Sequence, residues 1–497
     1  MPSSQTARPV PQDSSSRYLP IAGVLFLALL AVAVDPTRLF VLTLGLCGLA
    51  VVMWRPEWGV AVLLAMFLVR YGQRATPSGQ LTVGSVIAGG SGLLTINNLL
   101  GIVLALLMVY RLYRENDWSF LNSRQIQIIA LATLLLALSA YLNPVDIEEK
   151  IDLGLPTGGQ DPSRLIVART LFLVLVVYFI RTPSQVRFIL AIFLVLALMT
   201  AFSGLSAGLS GAGYREDVAG YRAGGATAFI GGAGNPNRLA MVCTLTLVLL
   251  WEYGSSLRVR SRAWLVNTVV ALLVVTVFMT ASRGGVVALA TTALLLFARR
   301  RAGARPLVYA AMIAAVAAPL LSQMLPPESI ERLLNVPGLG QSDTAAEGGS
   351  SIEKRRLAVD VGLEIARRHP FIGVGVGNWE IERFRTDPQR SISVPHNSYL
   401  LAFAEGGILC LVMYMLAFLV TIRGLGLIMK SSVAIARARA DGLDWVVTGV
   451  RLCLISFMVF SLFADLWESI VFYLLFGVGA VLIRRYRQLE VATHADA

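Results

Sequence analysis

The chain has 497 residues, 56% of them hydrophobic and 14% charged, with a formal net charge of +12 and a mean hydropathy of +0.70. That balance excludes a soluble globular protein and an intrinsically disordered one, and it predicts an all-α, polytopic integral membrane protein.

Apolar runs that can cross a bilayer, or nearly so, recur from Leu19 to Ile483, since about 20 helical residues cover the roughly 30 Å hydrocarbon core. Twelve to fourteen transmembrane helices are predicted, in the fuller version near 20–34, 39–54, 58–70, 93–112, 125–142, 165–180, 188–205, 236–252, 263–281, 284–298, 307–323, 398–421, 446–465 and 468–483. The first three are short, and tilted or re-entrant forms of them account for the lower count. Ala31-Val32-Ala33 resembles a cleavage site, but only Arg8 and Arg17 precede it and many spans follow. An uncleaved anchor is expected.

Basic residues set the orientation. Loops on the amino-terminal side, with Arg111, Arg114, Arg124, Arg258, Arg260, Arg262, Arg299, Arg300, Arg301, Arg484, Arg485 and Arg487 among them, hold 22 of the 42 Lys and Arg; the short loops opposite hold 10. Both termini are therefore placed in the cytoplasm, and the positive charge needs no nucleic-acid partner. Cys47, Cys243, Cys410 and Cys453 all fall in apolar runs, where they read as core residues rather than as a disulfide framework or a metal site.

The resulting plan is a cytoplasmic tail over 1–19, transmembrane helices 1–11 over 20–323 with a Gly-rich outer loop at 206–235, a large outer loop over 324–396, carboxy-terminal transmembrane helices over 397–483, and a cytoplasmic tail over 484–497. No internal repeat is visible, which disfavours inverted-repeat transporter plans. The Gly-rich loop delivers the chain to the next helix through Asn235-Pro236. The 73-residue stretch 324–396 is too long for a simple connection. Within it, IEKRRLAVDVGLEIARR sets Leu357, Val361 and Ile365 on one helical face, with Arg355, Arg356, Asp360, Glu364 and Arg368 elsewhere. This amphipathic helix either lies on the outer membrane surface or caps the bundle. HPFIGVGVGNW follows as a Gly-rich turn that packs back against something.

Between Arg262 and Arg299 the one charge is Arg283, in Ser282-Arg283-Gly284-Gly285, where a tight turn must join two crossings. Arg283 is then at or slightly below the outer interface, where a guanidinium faces a polar cavity or an anion or snorkels to headgroup phosphates. The following glycines would let backbone N–H groups approach an anion at a helix start. Parity places Arg222, Arg283 and His396 on the same outer face. His396, one of three histidines, either caps the helix starting near Ser398 or acts as a base, since its reference pKa near 6.5 leaves it able to accept a proton at neutral pH. His369 reads as structural, and His494 belongs to the tail. Glu405, within the next span, is expected to be hydrogen-bonded inside the bundle, while Arg451 and Asp465 approach the interior. The sequence holds no Walker A motif, HExxH, paired cysteines or DxD pair, so no cofactor or metal is expected.

Four strings, YRAGGATAFIGGAGNPNRLA, TASRGGVVALA, RRLAVDVGLEIARRHPFIGVGVGNW and PHNSYLLAFAEGGIL, resemble the bacterial O-antigen ligase and polysaccharide polymerase superfamily over about residues 220–415. The resemblance implies a polytopic glycosyltransferase of the bacterial inner membrane, working at its periplasmic face. Its expected reaction is an inverting, metal-independent transfer of a glycan from undecaprenyl diphosphate to an acceptor hydroxyl, the acceptor being lipid A core, the growing polysaccharide chain or a protein side chain. It also implies that Arg283 and Arg222 hold the diphosphate, with Arg215 and Arg238 near enough to compete with Arg222. His396 is implied as base or acceptor-orienting group, and Asn397 is counted with the substrate-binding residues. Arg355 and Arg356 either add charge to the site or face water. Extra spans move weight from a ligase towards a polymerase. The rival expectation is a transporter or flippase of a small anion or lipid-linked glycan, marked by mid-membrane charges and discontinuous helices.

Overall fold

A computed structural model describes residues 47–68, 96–153, 162–209, 214–217, 220–223, 236–257, 259–299, 345–386 and 395–495. The spans expected near 20–34 and 307–323 lie outside the described residues, as does most of the Gly-rich loop. The chain divides into two units, Met1–Gly59 and Val60–Ala497. In the first, helix Cys47–Trp54 ends where Arg55 pairs with Glu57 at 3.5 Å. All that follows concerns the second.

Its elements are α1 (Pro56–Leu68, begun in the first unit), α2 (Ile96–Glu115), α3 (Arg124–Leu142), α4 (Ile147–Asp152), α5 (Pro162–Phe179), α6 (Pro183–Leu209), a hairpin of β1 (Tyr214–Asp217) and β2 (Gly220–Ala223), α7 (Pro236–Ser256), α8 (Arg260–Met279), α9 (Arg283–Arg299), α10 (Ala345–Arg368), α11 (Trp379–Thr386), α12 (Ser398–Lys430), α13 (Ser432–Ala440), α14 (Asp444–Phe460) and α15 (Ile470–Ala495). The protein is an all-α membrane protein with one small hairpin among the described residues. Five described helices, α3, α6, α7, α8 and α12, are each long and apolar enough to cross a membrane, and up to seven spans result if two bent pairs each count as one. In one of those pairs, α13 and α14 meet at 111°.

α7 is the most buried of these five helices. Of its most apolar window 78% is buried inside the protein, against 28% for α3 and α8. Apolar side chains on all sides of α7 therefore meet other helices, whereas α8 turns Trp264 and Leu265 outward, as a lipid-facing helix does. Towards the carboxy terminus, Tyr414 and Phe418 of α12 interlock with Phe472 and Phe476 of α15, with ring centroids 5.1 to 5.6 Å apart. At one end of this group the turn between α13 and α14 is tied down through Asp441. Its carbonyl accepts from Arg187 Nη1 at 2.6 Å, and its carboxylate accepts from Arg485 Nε at 2.9 Å and Tyr486 OH at 3.0 Å.

α12 is not one straight rod. Gly407 has φ 74° and ψ −179°, so the helix breaks one residue after Gly406. Tyr399 packs on Tyr414 with centroids 5.8 Å apart, and Tyr414 OH lies 3.4 Å from Ser461 Oγ. Tyr414 is about 10 Å beyond the break at 1.5 Å per residue, so the first part of α12 folds back along the second instead of extending it.

The break would strand backbone polar groups in an apolar setting. The segment between α10 and α11 satisfies them. Val374 N–H donates to Ala404 O at 2.9 Å and Gly375 N–H to Glu405 O at 3.1 Å, while Ile408 N–H donates to Pro370 O at 2.8 Å. This is the partner of the Gly-rich turn expected from HPFIGVGVGNW. α3 joins the junction through Ser139 Oγ, which donates to Glu405 O at 2.7 Å, and through Asn143, whose carbonyl accepts from Asn378 Nδ2 at 2.8 Å.

Of the two placements open to the amphipathic helix, the described contacts show the capping one. Val361 and Ile365 are buried, and Gly362 lies so close to Leu400 that a Cβ there would come within 2.7 Å of its Cδ2. Beyond it, α11 is linked to α4 by Arg385 with Glu149, at 2.6 and 2.9 Å, and by Lys150 with Glu380 at 3.6 Å.

Candidate active site

Three helices begin at one place. α9 starts after Ala281, which holds a left-handed backbone with φ 46°. Ser282 then caps the helix, its Oγ accepting from Gly285 N–H at 3.0 Å and donating to Asn237 Oδ1, one residue into α7, at 2.6 Å. The two glycines after Arg283 are explained by packing: a Cβ on Gly285 would sit 2.6 Å from Ala240 Cβ, and one on Gly284 would sit 2.5 Å from Phe463 Cβ. The Ser-Arg-Gly-Gly turn is thus wedged between α7 and the turn that joins α14 to α15. Arg283, half-buried, is the first residue of α9.

α12 starts on that same turn. Asn397 Oδ1 accepts from Tyr399 and Leu400 N–H, each at 3.0 Å, which is the ordinary capping role of asparagine. Buried Ser398 donates its N–H to Ser461 O at 2.8 Å and its Oγ–H to Ala464 O at 2.7 Å, and Leu466 N–H donates back to Ser398 Oγ at 2.8 Å. Tyr399 OH donates to Met458 O at 2.8 Å.

Asp465 completes the arrangement. One carboxylate oxygen accepts from Asn397 N–H at 3.1 Å; the other lies 3.4 Å from His396 Nδ1. Arg238 of α7 reaches the Asp465 carbonyl at 3.5 Å. Glu468, three residues on, pairs with buried Arg169 of α5 at 3.8 Å. The turn from Ser461 to Ser469 therefore gathers the starts of α7, α9 and α12 and holds the one histidine among them.

Of the residues singled out from sequence, His396, Asn397, Arg238 and the Arg283 turn converge here. His396 is partly exposed, with Nδ1 facing Asp465. Asn397 uses its amide oxygen as a helix cap, so its amide nitrogen is what it can offer a ligand. Arg215 and Arg222 are direct cross-strand partners in the hairpin; their side chains lie outside the described residues, as does that of Arg355. Arg356 is exposed on α10.

Asp465 is the residue whose role the sequence reading missed. It was expected to approach the bundle interior, yet α14 ends at Phe460 and Asp465 stands in the turn beyond. The signal that could have found it is the same parity that grouped the arginines: Asp465 and Glu468 flank the junction of two apolar runs ending on the face of His396.

Chemically, this end suits an anion. Helix starts carry partial positive charge, and three of them meet beside Arg238 and Arg283; the first N–H groups of α12 are already taken by Asn397 and the turn, and Asp465 sets a carboxylate among them. Among the described residues no group of three or more His, Cys, Asp or Glu side chains is placed to hold a metal ion.

Fold and site together define a polytopic membrane protein with a polar, anion-attracting end that holds one oriented histidine. Residues 268–415 match the family model described as O-antigen ligase, which supports the resemblance to the O-antigen ligase and polysaccharide polymerase superfamily. The matched stretch contains the Arg283 turn, the amphipathic helix, the Gly-rich segment and His396, and it supports ligase-like or polymerase-like glycan transfer. A search of curated proteins finds no match to the chain.

Proposed function

We propose that this protein transfers a glycan from an undecaprenyl-diphosphate-linked donor to an acceptor hydroxyl at the periplasmic face of a bacterial inner membrane. The observation that carries this reading is His396, held by Asp465 on the turn that also receives the starts of α7, α9 and α12.

The chemistry follows from what each group can do. His396 Nε2 accepts the proton of the acceptor hydroxyl as its oxygen attacks the anomeric carbon. The bond from that carbon to the diphosphate oxygen breaks, its electron pair staying on the departing diphosphate. Attack opposite the leaving group inverts the anomeric centre. The diphosphate is already a good leaving group, so the protein chiefly neutralises its growing charge and aligns the acceptor. Arg283 and the helix starts serve the first task, with Arg222 and Arg215 assigned to the same diphosphate; Arg is the side chain suited to bidentate phosphate contact. Asp465 stabilises the imidazolium formed and fixes which nitrogen faces the acceptor.

The test uses purified protein in lipid with an undecaprenyl-diphosphate-linked oligosaccharide, with and without lipid A core. Longer lipid-linked chains in the donor-only reaction identify a polymerase; transfer that needs lipid A core identifies a ligase. His396→Ala and Arg283→Ala should each abolish transfer while inserting normally, and normal activity in both would sink the site assignment.

One observation favours the transporter reading: α12 is discontinuous, with buried Glu405 beside the break. Broken helices in transporters expose backbone groups that coordinate ions. Here Ala404 O, Glu405 O and Ile408 N–H are all engaged by the Gly-rich segment or by Ser139, which leaves the junction serving structure. Donor-dependent uptake into vesicles without any glycan product would favour transport instead.

A further inference from the structure

We infer that Glu405 is a positioning residue for this reaction, tying the large loop to the folded-back half of α12 and thereby setting the place of His396. The inference rests on the proposed glycan transfer for its activity arm and on the geometry alone for its conformational arm.

Glu405 is 4% exposed and occupies a position where three segments meet. Its side-chain Oε1 accepts from Gly377 N–H at 2.9 Å. Its backbone carbonyl accepts from Gly375 N–H at 3.1 Å and from Ser139 Oγ–H at 2.7 Å. One residue thus holds α3, the segment before α11 and the helix that carries the site.

The contacts from Glu405 run in both directions. Upstream along α12, Leu400 packs under Gly362 of α10 and beside Trp379, and Asn397 and His396 follow at the helix start. Downstream lies Gly407, whose left-handed φ of 74° disconnects the half-helix from the long arm, so the arm cannot hold its orientation by helical continuity. The half-helix is fixed instead at its two ends, by the Ser461–Ser469 turn and Met458 at its start and by the Gly-rich segment at its end, with Leu400 packed on α10 between them. The side-chain part of the attachment at its end is Glu405.

Gly373, Gly375 and Gly377 all have positive φ, between 75° and 93°, which turns their backbone towards α12. A carboxylate oxygen at Glu405 then replaces the hydrogen-bond partner that Gly377 N–H would otherwise lack in an apolar interior. Trp379 N–H also donates to this carboxyl, so the role needs acceptor oxygen at that reach for two backbone donors.

The test compares Glu405→Gln, Glu405→Ala and Glu405→Asp in lipid nanodiscs by amide hydrogen exchange and by glycan-transfer kinetics. Glu405→Gln keeps one acceptor oxygen at the same length, enough for Gly377, and should lie between wild type and Glu405→Ala in both. Glu405→Ala should raise exchange over 373–379 and over 395–403 while leaving 408–425 protected. It should lower turnover at saturating substrates by roughly tenfold to a hundredfold, as a misplaced catalytic group does, with a much smaller change in KM. Glu405→Asp, which keeps the charge but falls short of Gly377, should resemble Glu405→Ala and stands in for it if the alanine variant does not insert. Unchanged exchange over 395–403 in Glu405→Ala or, where that variant does not insert, in Glu405→Asp would overturn the inference. So would a glutamine variant as impaired as alanine. If wild type transfers no glycan, the proposed activity fails, and the exchange arm still decides the positioning role.

Discussion

His396 holds a left-handed backbone, φ 49°, a conformation that costs a residue with a Cβ about 1 kcal/mol or more. Asp465 lies against His396, one carboxylate oxygen 3.4 Å from the imidazole Nδ1 and the other accepting from the neighbouring Asn397 N–H at 3.1 Å. Nδ1 thus faces Asp465, and in the proposed reaction Nε2 faces the acceptor. On the proposed mechanism, Asp465→Asn should lower transfer without harming insertion, and by less than His396→Ala, where loss of the proposed base is worth about 100-fold or more. Because Asp465 acts through His396, the double variant should be no worse than His396→Ala alone. Additive losses in that cycle would show that Asp465 contributes independently of His396.

At the scale of elements, the break in α12 depends on backbone that admits no side chain. A Cβ on Gly407 would sit 2.1 Å from Phe371 O, and one on Gly373 would sit 2.4 Å from Glu405 O; both glycines also have positive φ. Gly407→Ala should cost about 2 kcal/mol or more from backbone strain and displacement combined, read as a lowered midpoint in thermal unfolding of the detergent-solubilised protein. The α13–α14 turn yields a different prediction. Burial pushes the Asp441 carboxyl up, but hydrogen bonds from Arg485 and Tyr486 outweigh that and hold it below the usual range. A depressed carboxylate pKa adds stability that is present above the unfolded value, about 3.9, and is lost as pH falls through the folded one. Asp441→Asn should thus be less stable than wild type near pH 7, and the difference should shrink as pH is lowered below about 4.

At the scale of the whole molecule, orientation is the consequence most open to test. With Cys47→Ser as background, Arg356→Cys and Arg487→Cys place single thiols at exposed positions, the other three cysteines being buried. A membrane-impermeant maleimide should label the first in intact spheroplasts and the second only after permeabilisation. The reverse pattern would place the His396 end in the cytoplasm. The helices themselves were legible because hydropathy and length dictate them: Arg124–Leu142 and Pro236–Ser256 begin within a residue of where the apolar runs predicted. What hydropathy could not carry was discontinuity, since averaged over a window Glu405-Gly406-Gly407 still leaves α12 reading as one span. Asp465 was hidden for another reason: its partner His396 is 69 residues away, and single-sequence periodicity pairs only near neighbours. The Gly-rich turn was visible as a turn, but the surface it packs on exists only once α12 breaks.

The junction between that turn and α12 is made chiefly of main-chain hydrogen bonds, with added anchors from Glu405, Ser139, Asn143 and Asn378. Main-chain pairing is indifferent to side-chain identity except where a Cβ has nowhere to go. Phe371 and Ile372 are exposed and should accept most apolar replacements, whereas Gly373, Gly375 and Gly407 should accept almost none. A saturation library scored for correct insertion would then return a pattern of permissive and intolerant positions in which the spaced glycines, more than the large apolar residues, mark where this architecture is written.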